Sequence, residues 1–262
     1  VNSIVADPSN SQILYASLSG RGVYKSTNRG ASWAPVNNGL GDLNVTDVVI
    51  NPTAPGTLYA ATISGGVYIT TNGAASWGSI NTGYPATAGV SIQLDTNSLP
   101  PIPDREPFDL EESNYLEGSA ELDVTGLIYA TSLAISPQNT SNLLAGTAGR
   151  GVLRYNGGSW SSSTLAAGTI YSVMFDKNNP AVAYAGGAAS AGSFLKSTNG
   201  GSNWAVSNTG ISGRTVYTIV KSGSGKLFAG TDRGVYVSAD NGGTWQVFGL
   251  DNEAVIALLA PA

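Results

Sequence analysis

Residues 24–33 read YKSTNRGASW, and the same pattern returns as YITTNGAASW at 68–77, LKSTNGGSNW at 195–204 and YVSADNGGTW at 236–245. A shortened copy, RYNGGSW, occupies 154–160. All five tryptophans of the chain close one of these copies, which randomly scattered tryptophans would not do. The chain is therefore built from an internal repeat, and the repeat is the main guide to its fold.

Each copy belongs to a longer unit of short strands. A β-branched run that ends near proline comes first, as in VTDVVINP at 45–52, and a short apolar run such as TLYAA at 57–61 follows it. A glycine turn and the motif GVY or a variant lead into the repeated pattern. Four short strands joined by polar turns are typical of a propeller blade. We therefore predict an all-β fold, a single β-propeller of four-stranded blades with few helical residues.

The spacing of the tryptophans bears on the number of blades. Neighbouring tryptophans are 41 to 44 residues apart, except Trp77 and Trp160, which are 83 apart. About one blade's length of chain between them, roughly 88–129, contains no copy of the pattern. We predict five recognisable blades and six in total, with five blades plus an insertion as the alternative. The predicted domain is one propeller over 1–262, with an irregular acidic segment or degenerate blade at 89–125.

The unit S/T-x-D/N-x-G-x-S/T-W resembles the Asp-box, or BNR repeat, of sialidases, xyloglucan-cleaving glycoside hydrolases and sortilin-type receptors. The resemblance implies that the Ser/Thr and Asp side chains brace the hairpin between the third and fourth strands, while the tryptophan packs inside. Asn stands for Asp in three of the four full boxes and can also brace a turn. The structural residues so implied are Ser26, Asn28, Trp33, Thr70, Asn72, Trp77, Trp160, Ser197, Asn199, Trp204, Ser238, Asp240 and Trp245.

The composition excludes several kinds of chemistry. The chain has no His and no Cys, which removes Ser–His–Asp hydrolysis, zinc sites built on those residues, thiol nucleophiles and disulfides. The net charge of −5 argues against nucleic acid as a partner. No apolar run approaches the roughly 20 residues of a membrane helix, so we predict no membrane span. The 34 glycines of the chain suit many tight turns.

A candidate ligand-binding rim comes from the turns SGRGVY, AGRGVL and TDRGVY, which place Arg21, Arg150 and Arg233 at equivalent positions. Such turns share one end of the blades with the blade-to-blade connections. Guanidinium groups there could bind a carboxylate or sulfate, and nearby side chains could line a sugar site: Asp47, Tyr171 and Tyr217. The alternative is that the arginines are solvated turn residues and the tyrosines pack in the strands.

The segment 89–125 differs from the rest of the chain. It holds nine of the 17 acidic residues, one basic residue and four prolines. Because Ca²⁺ prefers several carboxylate oxygens, a calcium site is one hypothesis, with Asp104, Asp109, Glu111 and Glu112 as its candidate ligands. The alternatives are an interaction arm and a solvated acidic loop, and no other cofactor is predicted.

The predicted function is a non-enzymatic extracellular or cell-surface propeller that binds protein or glycan, or that assembles. Assembly as a homo-oligomer or filament would use 255–262 and 89–125. Glycosidases need a pair of carboxylates, and outside 89–125 only eight acidic residues remain. The alternative is a carbohydrate-active propeller, a glycoside hydrolase or sialidase-like enzyme, or a fragment of one. We expect any signal sequence to lie outside this chain, which begins with Val1.

Overall fold

The computed structural model describes residues 1–85, 91–93, 121–123, 129–164 and 168–259. Over these residues the chain is all β apart from one 3₁₀ turn, Ala189–Ala191. Five four-stranded antiparallel sheets follow one another along the chain, each with its strands in sequence order. These sheets are the blades of a β-propeller, as the repeat predicts.

Blades 1 and 2 precede the acidic segment. Blade 1 consists of β1 Ser3–Asp7, β2 Asn10–Leu18, β3 Gly22–Ser26 and β4 Ala34–Pro35. Blade 2 consists of β5 Val45–Ile50, β6 Leu58–Thr62, β7 Val67–Thr70 and β8 Gly78–Ser79.

Blades 3, 4 and 5 follow the acidic segment. Blade 3 consists of β11 Ala130–Ile135, β12 Asn142–Thr147, β13 Val152–Asn156 and β14 Trp160–Ser162. Blade 4 consists of β15 Ile170–Phe175, β16 Ala183–Gly187, β17 Phe194–Ser197 and β18 Ala205–Val206. Blade 5 consists of β19 Val216–Lys221, β20 Leu227–Thr231, β21 Gly234–Ser238 and β22 Gln246–Gly249.

The five recognisable blades are present as five four-stranded sheets, and most of 88–129, where a sixth blade or an insertion was predicted, lies outside the described residues. Between β8 and β11 these residues hold only a two-stranded antiparallel pair, β9 Ser91–Gln93 with β10 Glu121–Asp123. The segment has the length of one blade, and length was the only signal for a sixth. The chain divides into two compact units, Val1–Pro85 with Leu127–Ala262, and Ala86–Gly126.

The hydrophobic core is divided into four clusters, one at each junction between successive blades. We call the face of a blade that packs on the blade before it the leading face, and the opposite face the trailing face. Small residues of the second strands allow close approach at these junctions. A Cβ on Gly186 would lie 2.5 Å from Cγ1 of Val216 in the next blade, and one on Gly146 would lie 3.0 Å from Cγ2 of Ile170. Glycine is therefore required at these two positions, whereas blade 2 holds the small residue Ala61 at the equivalent place.

Candidate functional site

The two ends of the propeller blades carry different kinds of turn. The turns between second and third strands and the blade-to-blade connections lie at one end, which we call the connection face. The repeated boxes join third to fourth strands and lie at the other end, the box face. This division follows from the antiparallel strand order of every sheet. Loops that a rigid scaffold holds on one face are where binding residues are usually found.

Hydrogen bonds within the boxes brace the box face. Ser26 Oγ donates to Asn28 Oδ1 (2.9 Å) and accepts from the Gly30 amide (2.9 Å), while Asn28 Oδ1 accepts from the Ser32 amide (2.8 Å). The box with a carboxylate has the same pattern: Ser238 Oγ donates to Asp240 Oδ1 (2.7 Å), which accepts from the Thr244 amide (2.8 Å). An amide oxygen therefore replaces a carboxylate oxygen without changing the geometry of the turn.

The box tryptophans join neighbouring blades at three junctions. The Nε1 groups of Trp77, Trp160 and Trp245 donate to backbone oxygens of the preceding blade or its connection, at 2.8, 2.7 and 3.3 Å. Trp33 and Trp204 donate instead into their own boxes, to Gly30 O and Gly201 O. Trp33 is 37% exposed, so it differs from the packed tryptophan that the resemblance implies. Among the described residues, none of the core clusters joins another blade to the leading face of blade 1.

The three arginines of the predicted rim are exposed in equivalent turns on the connection face. Arg21 lies between β2 and β3, Arg150 between β12 and β13, and Arg233 between β20 and β21. These turns belong to blades 1, 3 and 5, so no two of the arginines are on neighbouring blades. The arginines share one face without forming one cluster. Among the described residues the only ion pair is Lys221–Asp176, which joins the box-face ends of blades 4 and 5.

Three tyrosines stand close to the starts of first strands on blades 3, 4 and 5. Tyr171 and Tyr217 are the second residues of β15 and β19, and their ring centroids are 5.4 Å apart at 59°. Tyr129 immediately precedes β11, and both it and Tyr171 are 37% exposed. Sequence reasoning identified the pair but missed Tyr129, although its place just before a first strand was readable from the repeat.

The connection-face carboxylates are engaged by backbone amides. Asp47 Oδ2 accepts from the amide of Leu133 in the next blade (2.9 Å), and burial raises the pKa of this partly buried carboxyl to about 6. Asp42 accepts from the amides of Asn44 and Ser64 (2.8 Å each). Although burial acts to raise the pKa of Asp42, these hydrogen bonds lower it. The Thr215 amide donates to Asp232 (3.1 Å). Asp47 thus connects blades 2 and 3 and does not stand free on the rim.

The calcium hypothesis falls outside the described residues. Its candidate ligands, Asp104, Asp109, Glu111 and Glu112, all lie in the part of 89–125 that the structure does not describe. Within the described ranges no three His, Cys, Asp or Glu side chains are grouped so that they could hold a metal ion. Among the same residues no helix has the length and apolar character to cross a membrane.

Comparisons with known proteins place the fold among solved β-propellers. No family model matches the chain, and no curated protein matches it. An ancestral GH74 enzyme is similar with a TM-score of 0.68 and 25% identity, over 97% of this chain and 32% of the enzyme. The GH74 xyloglucanase of Xanthomonas campestris is similar with a TM-score of 0.63 and 17% identity, over 94% of this chain and 37% of the enzyme.

An extracellular domain is also among the similar structures. It belongs to a hybrid two-component system of B. thetaiotaomicron, and the likeness has a TM-score of 0.60 and 15% identity, over 93% of this chain and 29% of that one. The chain therefore spans about a third of the length of these proteins. The fold therefore defines the class as a β-propeller, similar in structure to the GH74 enzymes and to this extracellular domain.

Proposed function

We propose that this chain is a non-catalytic, extracellular Asp-box propeller that binds a glycan on the connection face of blades 3 to 5. The observation that carries the proposal is the pair Tyr171 and Tyr217, which opens two neighbouring first strands with rings 5.4 Å apart. Tyrosine presents an apolar ring and a hydroxyl together, which suits a sugar with its apolar and polar faces. Tyr129, immediately before β11, is a further tyrosine at this end of blade 3, and it is 37% exposed.

The position of the tyrosines supports binding at this face. Tyr171 and Tyr217 stand on strands of the rigid scaffold and not on long loops, so their rings are held in place before a ligand arrives. The exposed arginines of blades 3 and 5, Arg150 and Arg233, lie in turns of the same face. A glycan that carries carboxylate or sulfate groups could be bound through them as well. The low charge of the chain and its lack of Cys fit an extracellular protein of a prokaryote.

The Asp-box assignment is supported by the hydrogen bonds of the four full boxes. In each of them the first Ser or Thr hydroxyl donates to the Asn or Asp two residues later, at 2.7 to 3.0 Å. Each such hydroxyl also accepts an amide four residues on. This pattern explains the repeated sequence by turn geometry alone, so the boxes need no role in binding.

Affinity electrophoresis in gels with soluble polysaccharides, neutral and acidic, tests the proposal. We expect retardation by at least one polysaccharide and a weakening of about fivefold for Tyr171→Ala, since an aromatic contact contributes about 1 kcal/mol. Trp33→Ala is the matched control, because Trp33 is equally exposed but lies on the box face. Absence of retardation by every polysaccharide, or equal weakening by both substitutions, would contradict the proposal and favour a protein ligand.

A carbohydrate-active enzyme is the second candidate. It is favoured by the likeness to GH74 enzymes and by Asp47, whose pKa of about 6 is that of an acid able to donate a proton near neutrality. The engagement of Asp47 by the Leu133 amide argues against this role. Release of reducing ends from xyloglucan by the chain, abolished in Asp47→Asn, would establish the enzyme and overturn the non-catalytic proposal.

A further inference from the structure

Blades 1 and 5 are the outermost blades, and each leaves uncovered a face that is buried in the other blades. In blades 2 to 5 the leading face includes a first-strand residue packed on the blade before it, namely Val48, Leu133, Val173 or Ile219, each between 0% and 6% exposed. The equivalent residue of blade 1 is Ile4, since it pairs with Ala16 as Val48 pairs with Ala60. Ile4 is 59% exposed. The leading face of blade 1 is thus an uncovered inter-blade face.

The trailing face of blade 5 is the complementary case. Tyr59 on the trailing face of blade 2 is buried by blade 3, and Phe228 holds the same position in blade 5. Phe228 instead contacts Phe248, with ring centroids 5.2 Å apart, and Phe248 is 66% exposed. A cavity of about 420 Å³ opens here, and apolar residues line most of it: Val220, Phe228, Val235, Phe248, Leu250, Leu258 and Leu259.

The chain's own residues 253–259 occupy the place of an incoming first strand on this face. The Gly234 amide donates to Glu253 O (2.7 Å), as the Gly22 amide donates to Leu43 O just before the first strand of blade 2 (2.8 Å). Val255 lies against Gly230 as Val216 lies against Gly186. Leu259 is nevertheless exposed, and residues 254–259 form no strand in the described chain, although the Val255 amide donates to Thr231 O of β20 (2.8 Å). The position of a further first strand is therefore filled, but loosely.

We propose that the trailing face of blade 5 binds the leading face of blade 1 of a second copy of this chain, whose β1 takes the place of 254–259. At each of the four junctions within the chain, the trailing face of one blade packs on the leading face of the next, and the proposed interface pairs the same two faces. The two segments also match in the spacing of their apolar residues. Val1, just before β1, and Ile4, within it, are three positions apart, as Val255 and Leu258 are. The interface is heterologous, so copies add head to tail.

Light scattering after size exclusion, over a hundredfold range of concentration, tests the proposal with three variants. We expect the mass of the unchanged chain to rise above 26.6 kDa with concentration. Ile4→Asp and Phe248→Asp should each abolish this rise, because each places a charge at the centre of one apolar face. Val206→Asp is the matched control, since Val206 is 58% exposed on blade 4, away from both faces. All three sites are exposed, so the variants should remain folded.

Mixing the two defective variants tests the head-to-tail arrangement. Ile4→Asp keeps an intact blade 5 face and Phe248→Asp keeps an intact blade 1 face, so an equimolar mixture should form dimers that grow no further. A monomeric unchanged chain at all concentrations, dimerisation of Ile4→Asp alone, or loss of association in Val206→Asp would each overturn the proposal. Hydrogen exchange of the Val255 amide should become faster on association, because β1 of the second copy would displace this residue. Unchanged protection there would contradict the proposal that β1 takes the place of 254–259.

Discussion

The boxes of blades 1 and 2 have nearly the same sequence, yet their tryptophans do different things. Trp77 is buried, and its Nε1 donates to Val36 O of the preceding connection (2.8 Å) while its amide donates to Asn38 O (2.8 Å). Trp33 donates only into its own box, to Gly30 O (3.1 Å), and is 37% exposed. The shared box pattern therefore determines the hairpin, but it does not determine what the tryptophan stabilises.

The largest loss of stability is expected from a substitution at Gly39, which lies where the connection after blade 1 crosses Trp77. Its φ is +85°, and a Cβ would lie 2.1 Å from Trp77 O, which is backbone and cannot move aside. We expect Gly39→Ala to lower the free energy of unfolding by about 3 kcal/mol or more, through clash and left-handed strain. Urea unfolding measures this. Gly78→Ala, where a Cβ meets nothing within 4 Å, should change stability by less than about 1 kcal/mol.

The tryptophans themselves provide the next test. Trp77→Ala should cost about 3–5 kcal/mol, because it removes a buried ring and leaves Val36 O without its indole donor. Trp33→Ala should cost about 1 kcal/mol or less, because over a third of that side chain is already in water. Equal losses in thermal or urea unfolding would show that the tryptophan acts within its box and not at the junction.

The junction of blades 2 and 3 should respond to pH through Asp47. Burial raises its folded pKa from 3.8 to about 6, so the folded state holds this proton more tightly than the unfolded state does. Its contribution to stability is therefore greatest below pH 4 and is lost as the pH rises to about 6. Asp47→Asn keeps an oxygen for the Leu133 amide and should raise stability at pH 7 by about 1–3 kcal/mol. A urea series at pH 4 to 8 would show the opposite slope if the carboxylate were stabilised instead.

The smallest effect is expected inside a box. Asn72→Asp in blade 2 should leave stability near neutral pH within about 0.5 kcal/mol, because Asp240 makes the same bonds in blade 5. Asn72→Ala should cost about 1 kcal/mol, since the Ser76 amide loses its acceptor. A large loss in Asn72→Asp would mean that the amide hydrogens, and not the shared oxygen, brace the turn.

Much of the fold could be predicted from the sequence, because the repeat is long and each unit contains its own turn signals. The four full boxes follow from local spacing, and the bracing roles that the resemblance to the Asp-box implies agree with the bonds of Ser26 and Asn28. A degenerate blade and an insertion could not be told apart over 88–129, since length gives no information about strand pairing. The exposure of Trp33 was also beyond prediction, because it depends on a neighbouring sheet and not on the box.

The site was predictable only in part. The equivalence of Arg21, Arg150 and Arg233 was readable from the repeat, but their placement on alternate blades required the final blade order. Asp47 looked like a rim residue because strand alternation does not show which neighbour a carboxylate meets. Its bond to the Leu133 amide crosses 86 positions of sequence. Packing between blades is long-range in sequence, and local patterns carry little information about it.

The core clusters at the blade junctions have a consequence for how this molecule unfolds. Each core cluster joins only successive blades, and among the described residues no hydrogen bond links β1–β4 to β19–β22. Loss of an outer blade breaks one junction, whereas loss of an inner blade breaks two. Backbone protection should therefore form a gradient, lowest at the outer blades and highest in blade 3, and unfolding should run inward from both ends.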